Sequence, residues 1–310
     1  MTILVSGSLA LDTIMLFEDR FKNHISPENV HILSISFTVA NLKKERGGCA
    51  GNIAYSLALL GAKPLVLASV GEDFTPYRGF LESLGVDTRY IRVIPDTLTA
   101  QAFITTDLDD NQITAFHPGA MLFSHETSVP KEESLSWGIV APAGKEGMKK
   151  HASELTEAGI PFIFDPGQGL PLFSGEELLQ CIEQATIVAA NDYEIRMIME
   201  KTGLSVQALA ERVQALIVTL GAKGSVVYQQ KGETEIPAVA VPKVADPTGC
   251  GDAYRAGLLY GLEKGYDLPI AAKIASLMGA IKISHLGPQG HAFTQDWFLA
   301  RFFEVFGERL

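Results

Sequence analysis

Residues 246–257 read "DPTGCGDAYRAG", and the small-residue, apolar run "LLYGLEKG" follows at once. A helix that opens near Gly249 exposes unpaired N–H groups and a positive end. Glycines before and within its first turn leave room for an anion to come close. On this reading Gly249, Cys250 and Gly251 form an anion hole, and Asp252 stands beside it in the first turn. The helix end is expected to hold Asp252 ionised, which makes it a weak base. Phosphoryl transfer needs no more than that, because its loose transition state lets the acceptor's proton leave late. For this stretch alone, an ordinary capping acid behind a glycine turn is the stronger reading. The surroundings of the stretch must decide.

Working outward, near-continuous apolar runs occur at "ILVSGSLA", "PLVLASVG", "GIVAPA", "PFIFDPG", "TIVAAND" and "ALIVTLG". Such runs fit strands buried on both faces. Helical segments lie between them, and several end on a glycine: Gly61, Gly85 and Gly159. Strand and helix in alternation predict a mostly parallel sheet with helices on both faces, in one α/β domain spanning residues 1–310. Ligands of such sheets bind at the carboxyl ends of the strands. Asp12, Asp165, Gly167, Asn191, Glu194, Thr219 and Gly221 all follow predicted strands.

Two stretches depart from this pattern. "LSISFTVANL" alternates strictly, with Leu33, Ile35, Phe37 and Val39 on one face. "AQAFITTDLDDNQITAFHPG" reads as a hairpin turning between Asp107 and Asn111. Either the two build a small separate sheet, or they add antiparallel edges to the main one; pattern alone favours neither.

The 310 residues are 47% hydrophobic and 20% charged, with a formal net charge of −11. That charge argues against nucleic acid as a partner. No apolar run is long enough to span a bilayer, so no membrane partner is expected. The N-terminal "MTILVSGSLALDTIM" reads as a first strand rather than a signal peptide. Cys49, Cys181 and Cys250 have no metal-ligand spacing and suggest reduced thiols in the cytoplasm.

Four segments in order carry a resemblance over essentially the whole chain. "GGCAGNIAYSLALLGA" (47–62), "NDYE" (191–194), "VTLGAKGS" (218–225) and "DPTGCGD" (246–252) resemble the signatures of the ribokinase, or PfkB, family of small-molecule kinases. The resemblance implies a ribokinase-like three-layer α/β/α fold with a small β-sheet lid, formed by roughly residues 13–45 and 97–120. It implies ATP and Mg²⁺ as cofactors, with K⁺ as an option. Asp252 would be the base, and the backbone of Gly249–Gly251 would hold the transferred phosphoryl. Asp246 would organise the loop and any monovalent-cation site beside it. Asn191 and Glu194 would serve the phosphate and magnesium side, Glu194 through water. Thr219, Gly221 and Gly224 would lie along the ATP, while Asp12, Gly48 and Asn52 would hold the sugar hydroxyls. Pro247 stands where the family commonly has Thr, and Cys250 where Ala is usual. Solvent is the expected environment of Arg255, one turn beyond Asp252.

The acceptor would be a nucleoside or a sugar. Met15, Phe37, Phe116 and Met121, in or beside the lid segments, offer apolar walls suited to a base. Gln168, in "DPGQG", offers a hydrogen bond to a base edge. Each is also readable as lid core or turn cap. The full pattern looks like the nucleoside-kinase branch, with phosphate passing to the ribose 5′-hydroxyl. A sugar kinase and a catalytically silent binding protein on the same fold are the alternatives, and a homodimer is compatible with all three. A Rossmann dehydrogenase lacks support, because "SGSLALD" after the first strand has no Gly-x-Gly-x-x-Gly. A P-loop is likewise missing: Gly138–Glu146 has the wrong spacing.

Overall fold

The computed structural model describes residues 2–25, 34–109 and 111–310. Among these residues the strands are β1 (Thr2–Ser6), β2 (Ala10–Leu16), β3 (Asn41–Gly47), β4 (Lys63–Val70), β5 (Ile91–Val93), β6 (Ala100–Thr106), β7 (Gln112–His117), β8 (Leu135–Val140), β9 (Phe162–Phe164), β10 (Ile187–Asn191), β11 (Ala215–Thr219), β12 (Ser225–Gln229) and β13 (Gly232–Ile236). The helices are α1 (Cys49–Leu59), α2 (Thr75–Ser83), α3 (Lys145–Glu157), α4 (Gly175–Gln184), α5 (Asp192–Thr202), α6 (Val206–Ala210), α7 (Cys250–Glu263), α8 (Leu268–Ile283) and α9 (Gln295–Phe306).

Alternate residues of the central strands feed two separate cores. In β1, Ile3 and Val5 face one layer, with α1, α2, α7 and α8. Leu4 faces the other, with α3, α4, α5 and α6. Both faces are apolar, so the strands carry continuous hydrophobic runs rather than alternation. The sheet has nine strands in the order β13-β12-β11-β10-β9-β8-β1-β4-β5. Pairing is parallel from β11 to β5 and antiparallel at β12 and β13. From β1 the chain first builds toward β5 and then, from β8, in the opposite direction. The reversal lies between β1 and β8, the place where open α/β sheets form a ligand crevice.

α7 and α8 pack backbone to backbone. A Cβ on Gly257 would come within 2.7 Å of the Ala275 Cα, and one on Gly261 within 2.7 Å of the Ala271 Cα. Small residues therefore set how closely the helix bearing Asp252 sits on its neighbour. Outside this pair, Phe298 and Phe302 of α9 pack against Ile274 and Leu277 of α8.

A second sheet has four strands in the order β3-β2-β6-β7. The hairpin expected around Asp107 is present as β6 and β7. The hairpin thus belongs to a separate small sheet, not to the edges of the large one. Two expectations need correction. The run "ILVSGSLA" is not one strand: β1 ends at Ser6, and Ala10 already begins β2, which carries Asp12 into the small sheet. The alternating stretch is also not a strand. Leu33 lies outside the described residues, and residues 34–39 have no ladder partner. They still alternate, with Ile35, Phe37 and Val39 half-buried and Ser34, Ser36 and Thr38 exposed. Period two is a property of extended chain, with or without a neighbouring strand. The strand itself is the next segment, "NLKKERG", an exposed edge whose charges discourage further pairing.

Candidate active site

Asp252 is the third residue of α7, and Gly249 caps that helix in the left-handed conformation, with φ 78°. Only glycine takes that geometry without strain. Gly251 beside it is exposed, and the nearest atom to a Cβ there would be Arg255 Nη1 at 3.6 Å. The proposed anion hole is therefore open at Gly251, whereas Gly249 lies against Pro288, whose Cβ would stand 3.1 Å from an added side chain.

The Asp252 carboxylate is held from the neighbouring helix. Asn52 Nδ2, on α1, donates to Asp252 Oδ2 at 2.8 Å. Gln289 Nε2 donates to Asn52 Oδ1 at 3.0 Å and also to the Tyr77 hydroxyl. That hydroxyl donates to the Gly47 carbonyl at 3.1 Å, at the root of the small sheet. A continuous chain of polar contacts therefore joins Asp252 to the small sheet. Gln289 and Tyr77 were not foreseen, since 237 positions separate Gln289 from Asn52.

Burial pushes Asp252 up to about 6, helped by the nearby Asp165 charge and opposed by the Asn52 hydrogen bond and Arg255. This corrects the expectation of a weak base held ionised by the helix end. Desolvation of the charged form outweighs the helix-end charge. The result is a carboxyl group with a pKa of about 6, in the range that suits a base working near neutral pH.

Arg255 is not in solvent. It is 3% exposed, and its Nε donates to Asp165 Oδ2 at 3.0 Å. Its Nη2 lies 3.9 Å from Glu194 Oε2. A buried guanidinium between two carboxylates is a charge that cannot swing away. It ties the end of β9, the start of α5 and the first turns of α7 into one unit.

Asn191 and Glu194 form a capping box at the start of α5. Asn191 Oδ1 accepts from the N–H groups of Tyr193 at 2.9 Å and Glu194 at 2.8 Å, while Glu194 Oε2 accepts from Asn191 N at 2.7 Å. The motif thus builds a helix N-terminus facing the crevice. Burial and Asp165 raise Glu194, against Arg255 and the Asn191 amide. Thr219 Oγ1 donates to the Ala190 carbonyl at 3.4 Å. Gly221 and Gly224 flank the short turn between β11 and β12, and Gly224 lies against the backbone of residues 236–238.

On the small sheet, Asp12 pairs with Glu45 and Ala102, and Ala102 pairs with Phe116. Directly paired residues share a face, so Asp12 and Phe116 look the same way. That face turns toward the large sheet, because the Glu45 carboxylate lies against Gly287, where a Cβ would meet Oε1 at 3.3 Å. Burial and the neighbouring Glu45 push Asp12 up to about 6. Phe116 is 50% exposed. Met15, three residues along the strand from Asp12, falls on the opposite face, so the structure does not bring it to this site. Phe37 packs in an aromatic cluster, 4.7 Å from Phe17 and 5.3 Å from Phe21 between ring centroids. Met121 packs partly buried against the α3 side of the large sheet. Gln168 is exposed in the turn after β9. Gly48 caps α1 with φ 83°, where any Cβ would strike the Ser8 carbonyl at 2.5 Å.

Asp246 shapes the loop before α7. Its Oδ1 accepts from Thr248 N and its Oδ2 from Gly287 N, both at 2.8 Å. Burial alone would raise it, but these N–H groups draw it below the usual carboxylate value. Its carbonyl, in the loop where the resemblance implied an optional monovalent-cation site, accepts from the Lys282 ammonium at 2.9 Å. Cys250 is not activated by its helix end, for burial pushes its thiol up to about 11. Cys49, beside Asp252, is likewise pushed well above its ordinary value by burial and by the Asp252 and Asp165 charges.

A family model described as "pfkB family carbohydrate kinase" matches residues 25–294. Nucleoside kinase of Methanocaldococcus jannaschii is 34% identical over 263 residues, covering 84% of this chain and 86% of the relative. Burkholderia thailandensis nucleoside kinase in complex with inosine superposes with a TM-score of 0.90 at 51% identity, covering 99% of each chain. The same protein in complex with ADP-inosine gives 0.87 at 52%, covering 99% of this chain and 97% of that one. Ribokinase of Thermotoga maritima, at 22% identity, shares the fold with a TM-score of 0.81, covering 98% and 99%.

Proposed function

Since the chain belongs to the pfkB family of carbohydrate kinases, a group of phosphotransferases with hydroxyl acceptors, we propose that it moves the γ-phosphoryl of ATP to the ribose 5′-hydroxyl of a nucleoside. The observation that carries this reading is the cross-strand row on the small sheet. It puts Asp12, a carboxylate suited to ribose hydroxyls, and Phe116, a half-exposed aromatic suited to a base, on one face turned toward the large sheet. The inosine bound by the Burkholderia relative supports the same acceptor class.

In this reading the small sheet is the lid. Asp252 takes the hydroxyl proton late in the transfer, and Asn52 holds its carboxylate in place. The amides of Gly249–Gly251 receive the charge that develops on the phosphoryl oxygens. Thr219, Gly221 and Gly224 lie along the nucleotide. Magnesium, when bound with the nucleotide, would neutralise charge across its phosphates. Among the described residues no cluster of three acids, histidines or cysteines could hold a metal, so the fit is with an ion held mainly by phosphates, Glu194 reaching it through water. Potassium beside Asp246 is not part of this reading, because the Lys282 ammonium already sits on that carbonyl. No described helix is long and apolar enough to cross a membrane, and three free cysteines support a cytoplasmic enzyme.

The family model's own description favours a sugar acceptor as the second reading. Measuring ADP release over a series of nucleosides and free sugars separates the two, with nucleosides expected to give the higher kcat/KM. Phe116→Ala should then weaken a purine nucleoside by about 5- to 150-fold, the worth of one base stack, and leave a free sugar nearly untouched. An unchanged ratio removes Phe116 from the base site, and a wild type that prefers sugars overturns the nucleoside reading.

A further inference from the structure

Lys282 is fully buried, yet it carries an ammonium. It sits in the last turn of α8 and donates to two main-chain carbonyls, Asp246 at 2.9 Å and His285 at 3.1 Å. An amine left without partners at such a site would cost several kcal/mol of desolvation or lose its proton. Burial does draw Lys282 below its usual value, and the Cys250 and Asp246 side chains draw it back.

The two acceptors belong to the two segments that frame the anion hole. Asp246 begins the loop into α7, four residues before Cys250. His285 lies in the loop after α8, which returns through Gly287 to the Asp246 carboxylate. The backbone ties are dense: Ala245 N and Asp246 N both donate to the Ile283 carbonyl, at 2.8 and 3.2 Å, and Cys250 N donates to the Pro247 carbonyl at 3.1 Å. Carbonyl oxygens converging on one positive charge are what a bound alkali ion or ammonium would also provide. Here the charge is covalently part of α8, so it cannot dissociate.

We propose that the Lys282 ammonium is the resident cation of this loop, a positioning residue that holds the Asp246 and His285 carbonyls so that the Gly249–Gly251 amides stay aimed at the phosphoryl group, and that it makes activity independent of added monovalent cations. This rests on the phosphotransferase reading above. A lysine that merely interacts with the carbonyl end of its own helix is the competing explanation.

The test compares wild type with Lys282→Met at constant ionic strength in N-methylglucamine, sodium, potassium and ammonium chlorides. Wild-type kcat should vary by less than about twofold across the series. The variant should lose roughly tenfold or more in kcat in N-methylglucamine, with the nucleoside KM held within about threefold, the pattern of a lost transition-state contact. Potassium or ammonium should restore much of that loss by entering the vacated space. A wild type activated about fivefold or more by potassium overturns the proposal. So does a variant that is fully active without small cations, or one that no cation rescues. Thermal melting in the same salts reads the site without turnover: the variant, and not the wild type, should gain about 3 °C or more in potassium or ammonium. If Lys282→Met does not fold in any of the salts, the wild-type series alone decides. If wild type turns over no nucleoside or sugar, the kinase reading fails, and the melting series still decides the cation question.

Discussion

At the residue scale, the proposed role of Asp252 as the base has a pH signature set by its environment. The base must be ionised to accept a proton, so activity should fall as pH drops through its pKa. With burial raising that pKa to about 6, kcat/KM should be flat above about pH 7 and lose roughly tenfold per unit well below 6. A profile still flat at pH 5 would remove Asp252 as the titrating base. Asp252→Asn keeps the shape and the place of the Asn52 contact, and should lower kcat by about 10²- to 10⁴-fold. The same substitution should stabilise the protein. The folded chain binds the Asp252 proton more tightly than the unfolded chain does. Stability is therefore greatest below the ordinary carboxylate value near 4, and declines as pH rises through about 6. At pH 7 to 8 the ionised, buried carboxylate is a standing cost, on the order of 1–3 kcal/mol. Asp252→Asn should remove it and raise the melting temperature, an exchange of function for stability. A variant that is inactive and also less stable would show that Asp252 holds the fold.

At the scale of elements, the structure separates two glycines that the sequence presents alike. Gly257 in α7 and Gly279 in α8 both occupy helix interiors, where alanine is the better helix former by about 1 kcal/mol. A Cβ on Gly257 would meet the Ala275 Cα at 2.7 Å, whereas one on Gly279 finds nothing nearer than the Cys250 carbonyl at 3.9 Å. Gly257→Ala should therefore destabilise by about 1–3 kcal/mol as α7 and α8 are forced apart. Gly279→Ala should be neutral or stabilising by up to about 1 kcal/mol. Urea denaturation of the two variants gives both signs, and equal effects would refute the packing argument.

The same scale shows what could be read beforehand. Strands such as Ile187–Asn191 and Ala215–Thr219 were legible because burial on both faces demands an unbroken apolar run. So was the opening of α7 at Gly249, since positive φ at a helix start calls for glycine. β3 was not, because "NLKKERG" is an exposed edge with almost nothing to bury. The extended segment at 34–39 drew the strand assignment instead, since its half-buried positions imitate a ladder. At the candidate site, the motifs pointed to Asp252 and Asn52, which the structure joins by a hydrogen bond, and to Asn191, which caps α5. They could not reveal that Arg255 is buried, since Asp165 is 90 positions away, nor that desolvation raises Asp252.

At the scale of the whole molecule, one sheet divides two apolar layers that share no helix, and the crevice draws on both. Asp252 and Asn52 come from one layer, Asn191 and Glu194 from the other, and Arg255 bridges them through Asp165. The three cysteines happen to sample the same division. Cys49 and Cys250 begin α1 and α7 on one side, and Cys181 lies in α4 on the other. All three thiols are held above their ordinary value by burial, Cys181 and Cys250 at about 11. A thiol with that pKa is thiolate in only about one molecule in 10⁴ at pH 7, and Cys181 is also buried, so alkylating reagents meet almost no nucleophile there until its layer opens. Cys49 and Cys250 are partly exposed, so their labelling in the folded protein reads the crevice rather than the layer. Cys181 is thus a chemical clock for the α4 layer alone. Iodoacetamide labelling followed by peptide mass spectrometry should modify Cys181 at the rate at which that layer opens, and Cys49 and Cys250 sooner. One common rate for all three thiols would mean that the crevice shields its two cysteines as fully as the core shields the third.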